Sequence, residues 1–326
     1  MKTLREFDFK GKKVLVRCDF NVPLSLPAGR QAKQGEILCD FKIKQTLPTI
    51  EYLIKAGAEI VLISHLAGGA SLKPVAERLT ELLGRQMNLL DNLRLDKREE
   101  ENDDNFAREL AKLGDIFIND AFAECHRAYS SIVGVPKYLP SGAGLLLEKE
   151  VKTLKQLVEN PKKPLVAIIG GAKVETKSKL INKLSEFADF ILVGGLFNKK
   201  TEGKIIGAGE GLDIQEADLK IFKEKIALAR TIFWNGPLGK IEEEQFSKGT
   251  KEIAEAIIKS GAFSIVGGGE TVEFINRIGL IDKFSYVSTG GGAMMAFLSG
   301  EKLPGLEALG YYDTNTRMYT NDTNKR

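Results

Sequence analysis

Residues 164–187 read PLVAIIGGAKVETKSKLINKLSEF, and this stretch decides the fold class. It starts with a continuous apolar run that a pair of glycines ends, and it continues with apolar residues at helical spacing. An uninterrupted apolar strand is typical of a parallel sheet that is covered on both faces. A strand, a glycine turn and a helix in this order predict a βαβ unit of an α/β fold.

The same order recurs through the second half of the chain. Four further apolar strands end in glycine-containing turns, and they lie in segments 189–196, 231–240, 263–271 and 284–293. Helical patterns follow the last three of them. This repetition predicts a doubly wound domain that is built on a parallel sheet.

The first half follows the same order with fewer glycines. Its patterns predict strands at 12–20, 58–66 and 114–122. They predict helices at 46–57 and 73–84. A long helical pattern at 148–160 precedes Pro161 and Pro164, and it predicts the connection between two lobes. Two segments lack apolar periodicity and are expected to be irregular, 24–36 and the polar tail 310–326.

A chain of 326 residues is long enough for about two domains. We therefore predict an α/β protein of two Rossmann-like lobes with parallel sheets, residues 1–150 and 151–326, joined by a connecting helix. The net charge of +3 lacks the basic excess of a dedicated nucleic-acid binder. No apolar run approaches the roughly 20 residues of a membrane helix, so we expect a cytoplasmic protein without a membrane partner.

The three cysteines, Cys18, Cys39 and Cys125, form no Cys-x-x-Cys pair. They are too few for a disulfide scaffold, and a structural zinc site is not expected. We therefore predict reduced thiols, buried or half-buried.

The glycine turns are expected at the carboxyl ends of parallel strands, where open α/β sheets bind their ligands. Exposed backbone N–H groups and helix N-termini at such an edge suit phosphate. A single glycine pair there is usually a tight turn, but five such turns favour a binding role. The chain has no P-loop motif and no dinucleotide fingerprint, since GAGEGL at 207–212 has the wrong spacing.

Lys173 and Lys177 are four residues apart at the start of a predicted helix, so they share one face. Two ammonium groups at the positive end of a helix favour a bound anion over two solvated lysines. In the first half, polar and cationic residues follow the predicted strands: Asp19, Asn21, Lys42, His65, Arg94, His126 and Arg127. Each alone reads as a surface residue, but together they suit a small anionic substrate such as a phosphorylated carboxylate.

Several of these segments resemble phosphoglycerate kinases. The matching blocks include VLVRCDFNVPL (14–24), NDAFAECHRA (119–128), GGAKVETK (170–177), WNGPLG (234–239) and STGGGA (288–293). The resemblance runs in family order over about residues 1–310. It implies two Rossmann-like lobes, of which the N-terminal one binds 3-phosphoglycerate and the C-terminal one binds ATP or ADP with Mg²⁺. Hinge closure would then allow direct in-line phosphoryl transfer.

Residue roles carry over from the family by position. The resemblance implies substrate-binding roles for Asp19, Asn21, Lys42, His65, Arg94 and Arg127. It implies roles with the transferred phosphoryl group for Lys173, Lys42, Gly291 and Gly292, with Gly290 beside them. It implies nucleotide-binding roles for Lys177, Asn235, Gly236, Pro237, Glu242, Gly268, Gly269, Glu270 and Thr271, with the Glu270 carboxylate serving Mg²⁺.

The chain departs from the family pattern at several of these positions. Lys42 stands where the family has its catalytic arginine, and the loop HLAGG (65–69) lacks a second substrate arginine. Tyr129 replaces a histidine of the basic patch with which the family binds 3-phosphoglycerate, and Glu270 replaces an aspartate. Segment 193–200 is reduced, and the chain is short after residue 84 and between about residues 200 and 230.

The leading hypothesis is therefore a monomeric ATP:3-phosphoglycerate phosphotransferase of glycolysis. It would interconvert 1,3-bisphosphoglycerate and ADP with 3-phosphoglycerate and ATP. The alternative is a family member that binds nucleotide or phosphoglycerate without efficient transfer, because the basic patch lacks two arginines and a histidine. A dehydrogenase is disfavoured because the dinucleotide fingerprint is missing.

Overall fold

The computed structural model describes residues 1–25, 35–171, 174–194, 202–209 and 211–312. The chain divides into two compact units. The first contains Met1–Val151 and the described part of the segment that starts at Lys302, and the second contains Lys152–Glu301.

The first unit is built on a five-stranded parallel sheet. Its strands are β1 (Lys13–Arg17), β2 (Glu59–Ile63), β3 (Asn88–Leu89), β4 (Ile116–Asn119) and β5 (Ser141–Ala143). Its helices are α1 (Phe41–Lys55), α2 (Lys73–Leu83) and α3 (Asp104–Ala111), and α4 (Leu145–Glu159) contains the boundary to the second unit. The strand order β3-β2-β1-β4-β5 reverses direction between β1 and β4.

Consecutive residues of β1 are buried, which explains the uninterrupted apolar run in the sequence. Val14 and Val16 belong to one apolar cluster, and Leu15 between them belongs to another. Because successive side chains of a strand point to opposite faces, the two clusters lie on opposite sides of the sheet. Helices α1 and α2 supply residues to the first cluster, and α3 supplies residues to the second.

The second unit contains a six-stranded parallel sheet. Its strands are β6 (Leu165–Ile169), β7 (Phe190–Val193), β8 (Ile205–Gly207), β9 (Thr231–Asn235), β10 (Phe263–Gly267) and β11 (Tyr286–Val287). Its further helices are α5 (Val174–Phe187), α6 (Glu216–Leu228), α7 (Lys248–Ser260), α8 (Gly269–Arg277) and α9 (Gly291–Leu298). The order β11-β10-β9-β6-β7-β8 reverses between β6 and β9, as in a doubly wound sheet.

The predicted fold class is confirmed, since both units are α/β with parallel sheets. The sequence patterns missed β3, β5 and β8, which have only two or three residues each. Helix α1 starts at Phe41, before the predicted 46–57, so Pro48 lies in its interior and not in its first turn. Much of segment 24–36, most of tail 310–326 and the end of segment 193–200 lie outside the described residues.

The segment that follows Glu301 differs from the expected domain limits. The prediction placed all of 151–326 in the second lobe, whereas the structure places the chain from Lys302 to Tyr312 in the first unit. Helix α10 (Pro304–Ala308) is held there because the N–H of Gly305 donates to the Cys125 carbonyl at 2.9 Å. The Met1 ammonium also donates to the Gly310 carbonyl at 2.9 Å.

No helix in the described part of the chain is long and apolar enough to cross a membrane.

Candidate active site

The first candidate half-site lies at the carboxyl edge of the first unit's sheet. Asp19 follows β1, His65 follows β2, Arg94 follows β3 and Glu124 follows β4. Carboxyl ends of parallel strands share one edge, and ligands bind where the strand order reverses. The structure brings the predicted residues Asp19, Lys42, His65, Arg94 and Arg127 together there through the contacts described below.

Lys42 lies in the first turn of α1 and pairs with a buried carboxylate. Its Nζ is 2.6 Å from Oδ2 of Asp19, whose exposed fraction is 1%. Burial alone would raise the pKa of Asp19, but neighbouring charges, that of Lys42 foremost, together with hydrogen bonds from Lys42 and from the backbone of Asn21, outweigh burial and lower it. Asp19 is therefore ionised, and the ammonium of Lys42 is held at the edge of the site.

Asn21 shapes the loop that carries His65. Its backbone N–H donates to Oδ1 of Asp19 at 3.1 Å, and its side-chain oxygen accepts from the N–H of Ala67 at 3.0 Å. The predicted substrate residue Asn21 thus ties the chain after β1 to the chain after β2.

His65 is fully buried and neutral. Nη2 of Arg17 lies 3.1 Å from its Nδ1, and because a guanidinium can only donate, Nδ1 is the acceptor and Nε2 carries the proton. Burial, together with the charge of Arg17, lowers the pKa of His65 to about 2. The 3.5 Å separation between Nε2 and Oε1 of Glu124 is therefore not an ion pair. His65 offers a hydrogen-bond donor rather than a charge.

Arg94 lies in a short 3-10 helix, Leu93–Leu95, and the capping residue Asn92 positions it. The side-chain oxygen of Asn92 accepts from the N–H of Arg94 at 3.0 Å. The Asn92 amide donates to the carbonyls of Leu66 and Ala70 at 2.7 and 2.8 Å. Asn92 thus joins the chain after β3 to the HLAGG loop, a positioning role that the sequence analysis did not assign.

Tyr129, one of the departures from the family pattern, lies against both arginines. Its ring centre is 5.6 Å from the guanidinium of Arg94 and 5.4 Å from that of Arg127. Its hydroxyl also accepts from Nη1 of Arg127 at 2.6 Å. The tyrosine therefore braces the two cations through its ring and hydroxyl.

Glu124 is the residue of this half-site that the sequence analysis missed. Its Oε2 lies 3.0 Å from Nη2 of Arg94 and 3.5 Å from Nε of Arg127. The sequence does contain a signal for Glu124, because it is a carboxylate three residues before Arg127 in the block NDAFAECHRA.

Possible metal-ligand atoms of Asp19, His65 and Glu124 lie within 4.8 Å of one another. Lys42 and Arg94 already bond to the two carboxylates, and Arg17 bonds to the imidazole. A cation at this position would meet three positive charges at short range, which is unfavourable. The grouping therefore suits an anion-binding patch better than a metal centre.

The second candidate half-site lies where the order of the second sheet reverses, between β6 and β9. The N–H of Gly170 donates to the Asn235 carbonyl at 2.9 Å, and the N–H of Gly171 donates to the Pro237 carbonyl at 2.8 Å. A Cβ on Gly170 would lie 2.0 Å from the Pro237 oxygen. This glycine pair allows two backbones to approach each other, and its N–H groups are not free for phosphate, contrary to the expectation for this turn.

Lys177 is the buried cation of this half-site. Its Nζ donates to the Gly170 carbonyl, and a Cβ on Gly236 would lie 2.6 Å from the same nitrogen. Burial lowers the pKa of Lys177 to about 8, although the charge of Glu270 acts in the opposite direction. Lys173 lies outside the described residues.

The turn after β10 is locked to the loop after β9. Thr271 Oγ1 accepts from the N–H of Gly236 at 2.9 Å, and the Asn235 amide donates to the Gly267 carbonyl at 3.1 Å. A Cβ on Gly268, whose φ is +99°, would lie 2.9 Å from the Asn235 amide nitrogen. Asn235 and Thr271 are thus buried braces between two loops of the site.

Glu270, next to Gly269 in the first turn of α8, is exposed and acts electrostatically on Lys177. Glu242 is also exposed, but no contact among the described residues joins it to Lys177 or Glu270. Its loop is held to α8 because Nη2 of Arg277 donates to the Ile241 carbonyl at 2.7 Å.

The Gly290–Gly292 turn opens helix α9. The N–H of Gly290 donates to the Ser288 hydroxyl at 3.0 Å, and Gly291 and Gly292 form the first turn. First-turn N–H groups of a helix lack acceptors within the helix, so these two glycines present donors at the carboxyl edge of the sheet.

Comparison with known families agrees with this arrangement. The sequence profile described as Phosphoglycerate kinase matches residues 4–90, 84–201 and 197–301. Consecutive matches overlap at 84–90 and at 197–201, close to the two places where the sequence analysis expects missing segments.

Relatives and solved structures give the same family. The phosphoglycerate kinase of Borrelia garinii is 38% identical over 397 residues, covering 95% of this chain and 99% of the relative. That of Thermosipho africanus is 38% identical, covering 94% and 97%. Both alignments are longer than this chain, which therefore lacks segments that the relatives have.

The phosphoglycerate kinase structure from Coxiella burnetii has a TM-score of 0.80 at 32% identity, covering 95% of this chain and 99% of the other. The one from Pyrococcus horikoshii has a TM-score of 0.83 at 29% identity, covering 95% and 98%. Motif order, fold and near full-length similarity thus agree, and the chain belongs to the phosphoglycerate kinase family.

Proposed function

We propose that this chain transfers a phosphoryl group reversibly between ATP and the carboxylate of 3-phosphoglycerate, in the glycolytic reaction of its family. The observation that carries the proposal is the group of cations and hydrogen-bond donors at the carboxyl edge of the first sheet. Lys42, His65, Arg94 and Arg127 all contact one of two buried carboxylates there.

The first half-site suits a ligand with two anionic ends. Arg94 and Arg127 offer guanidinium groups that match phosphate oxygens, and neutral His65 adds an N–H. Lys42 offers a compact charge at the same edge, beside Asp19 rather than Glu124. We assign the phosphate of 3-phosphoglycerate to the arginines and its reacting carboxylate to Lys42.

The second half-site suits a nucleotide with a divalent cation. Glu270 is an exposed carboxylate at the sheet edge, and a hard cation such as Mg²⁺ takes carboxylate and phosphate oxygens together. The residues present therefore fit Mg²⁺, which neutralises phosphate charge when it is bound with the nucleotide. Lys177 would meet a nucleotide phosphate, with Asn235, Pro237, Gly268, Gly269 and Thr271 forming the loops beside it and Glu242 reaching the ribose.

The amides of Gly291 and Gly292 and the ammonium of Lys173 are assigned to the transferred phosphoryl group. Charge on the moving group is spread over its oxygens, so positioned N–H groups and cations are what the transfer requires. The transfer is direct, without a covalent enzyme intermediate, and we propose that a monomer performs it in the cytoplasm.

The test is a coupled assay of the purified protein with MgATP and 3-phosphoglycerate that follows ADP release. We expect activity in the unaltered chain and a loss of at least about a hundredfold in Lys173→Ala, because electrostatic stabilisation of the moving group is removed. If the folded protein binds nucleotide by calorimetry but shows no activity above that control, the chain is a binding protein of the family instead.

A further inference from the structure

Glu124 lies at the centre of the patch formed by neutral His65 and the two cations Arg94 and Arg127. It ends a short 3-10 helix, Phe122–Glu124, that directly follows β4, and its side chain is 8% exposed. One carboxylate therefore faces all three groups, at 3.5 Å from His65, 3.0 Å from Arg94 and 3.5 Å from Arg127.

The patch holds more donors than this carboxylate satisfies. Three buried nitrogens lack a hydrogen-bond partner in the described part of the protein: Nε2 of His65, Nε of Arg94 and Nε of Arg127. Nε of Arg94 lies 3.3 Å from Oε1 of Glu100, but without hydrogen-bond geometry. Buried donors normally find acceptors, and three together on one patch point to a ligand with more oxygens than a carboxylate.

The ion pairs between Glu124 and the two arginines are also not bidentate, which is the stronger arrangement of a carboxylate with a guanidinium. A single oxygen, Oε2, lies near both Arg94 and Arg127, whereas a phosphate presents enough oxygens to serve each guanidinium separately. A phosphate placed beside an unmoved Glu124 would meet a like charge at short range in a poorly solvated site.

We propose that Glu124 is an internal competitor for the anionic substrate. Its carboxylate occupies the position of the substrate phosphate in the ligand-free protein, and binding requires the side chain to leave the arginines. The inference rests on the proposed function, since it takes 3-phosphoglycerate as the ligand of this patch. Glu124 is then a residue that sets substrate affinity, and it weakens rather than strengthens binding.

The decisive variant is Glu124→Gln, which keeps the shape of the side chain and removes its charge. We expect the Kd for 3-phosphoglycerate to fall about tenfold, equivalent to about 1.4 kcal/mol, measured by calorimetry without nucleotide. The KM for 3-phosphoglycerate should fall in parallel, and the KM for ATP should not change. Glu124→Asp, which keeps the charge but withdraws it from the arginines, should tighten binding by a smaller factor.

Glu109→Gln is the matched control. Glu109 is an exposed carboxylate of the same unit that pairs with Arg98 at 3.0 Å, so the variant loses the same net charge without touching the patch. Its Kd for 3-phosphoglycerate should equal that of the unaltered chain. Thermal unfolding of every variant checks that each remains folded.

The outcomes separate this inference from the proposed function. Tighter binding of 3-phosphoglycerate in Glu124→Gln, together with turnover, supports both the inference and the proposed function. Tighter binding in Glu124→Gln supports the inference but overturns the function if neither the unaltered chain nor any variant turns over. Turnover with unchanged or weaker binding in Glu124→Gln and Glu124→Asp overturns the inference, because Glu124 would then only hold the arginines in place. Neither binding nor turnover in any variant overturns both.

Discussion

Lys42 presents one compact ammonium group where the family pattern has a planar guanidinium. It pairs with Asp19 at 2.6 Å, and its side chain is 28% exposed, so the ammonium group still has N–H donors that can reach a ligand. A guanidinium at the same position could keep the Asp19 contact and also donate to two oxygens of the transferring group. We therefore predict that Lys42→Arg raises kcat by about three- to tenfold without changing the KM for ATP.

Steady-state kinetics with each substrate varied would measure this effect. Lys44→Arg is the matched control, because Lys44 lies in the same turn of α1 but pairs with Asp40 at 3.0 Å, and its kinetics should not change. A fall in kcat for Lys42→Arg would show that the neighbouring groups are arranged around lysine and would contradict the prediction.

Lys177 gives a pH dependence with a definite sign. Burial lowers its pKa to about 8, so about half of the ammonium groups have lost a proton at pH 8 in the free protein. A nucleotide phosphate beside Nζ favours the charged form and raises the pKa, so binding takes up a proton. We predict uptake of about half a proton per ADP at pH 8 and almost none at pH 6.5.

Calorimetric titration with ADP in two buffers of different ionisation enthalpy measures this uptake. Lys177→Arg keeps the charge and cannot lose its proton, so it should bind ADP without the excess uptake at pH 8. Equal uptake by the unaltered chain and by this variant would assign the proton to another group.

At the scale of elements, the close contact between the turn after β6 and the loop after β9 should contribute to the stability of the second unit. Gly170→Ala places a Cβ 2.0 Å from the Pro237 oxygen, and backbone atoms on both sides must shift. We expect the free energy of unfolding of the second unit to fall by about 3 kcal/mol. Denaturant titration followed by the fluorescence of Trp234, the one tryptophan of the chain, measures it.

The matched control is Gly269→Ala, another glycine that follows a strand of the same sheet. A Cβ at Gly269 meets nothing within 4 Å, so the change in unfolding free energy should stay within about 0.5 kcal/mol. If both variants lose the same stability, close backbone approach is not the reason for glycine at position 170.

Elements with long apolar runs could be predicted from the sequence, and most of the very short strands could not. Strands β6 and β9 follow from uninterrupted apolar runs, LVAII and IFW, which are typical of a doubly covered sheet. Strand β3 has two residues, too few for any periodicity, and it exists because β2 offers its backbone groups for pairing. The role of Gly170 in close backbone packing could not be predicted either, because its N–H donates to the carbonyl of Asn235, which is distant in the sequence.

For the whole molecule, the sequence predicted the family, the two α/β units and most groups of the first half-site. Motif blocks fix which residues follow which strand, and parallel topology then brings those strand ends to one edge. Glu124 was missed because its contact with Arg94 joins the chain after β3 to the chain after β4, and only the folded sheet brings those two segments together. The assignment of the segment after Glu301 depended likewise on a long-range contact, between Gly305 and Cys125.

The return of the chain to the first unit has a consequence for the order of synthesis. The second unit, Lys152–Glu301, is continuous, so all of its residues are synthesised before Lys302 is added. The first unit instead draws on both ends of the chain, and Met1 finds its partner only when Gly310 has emerged. The part of the protein that is translated first is therefore the part that is completed last.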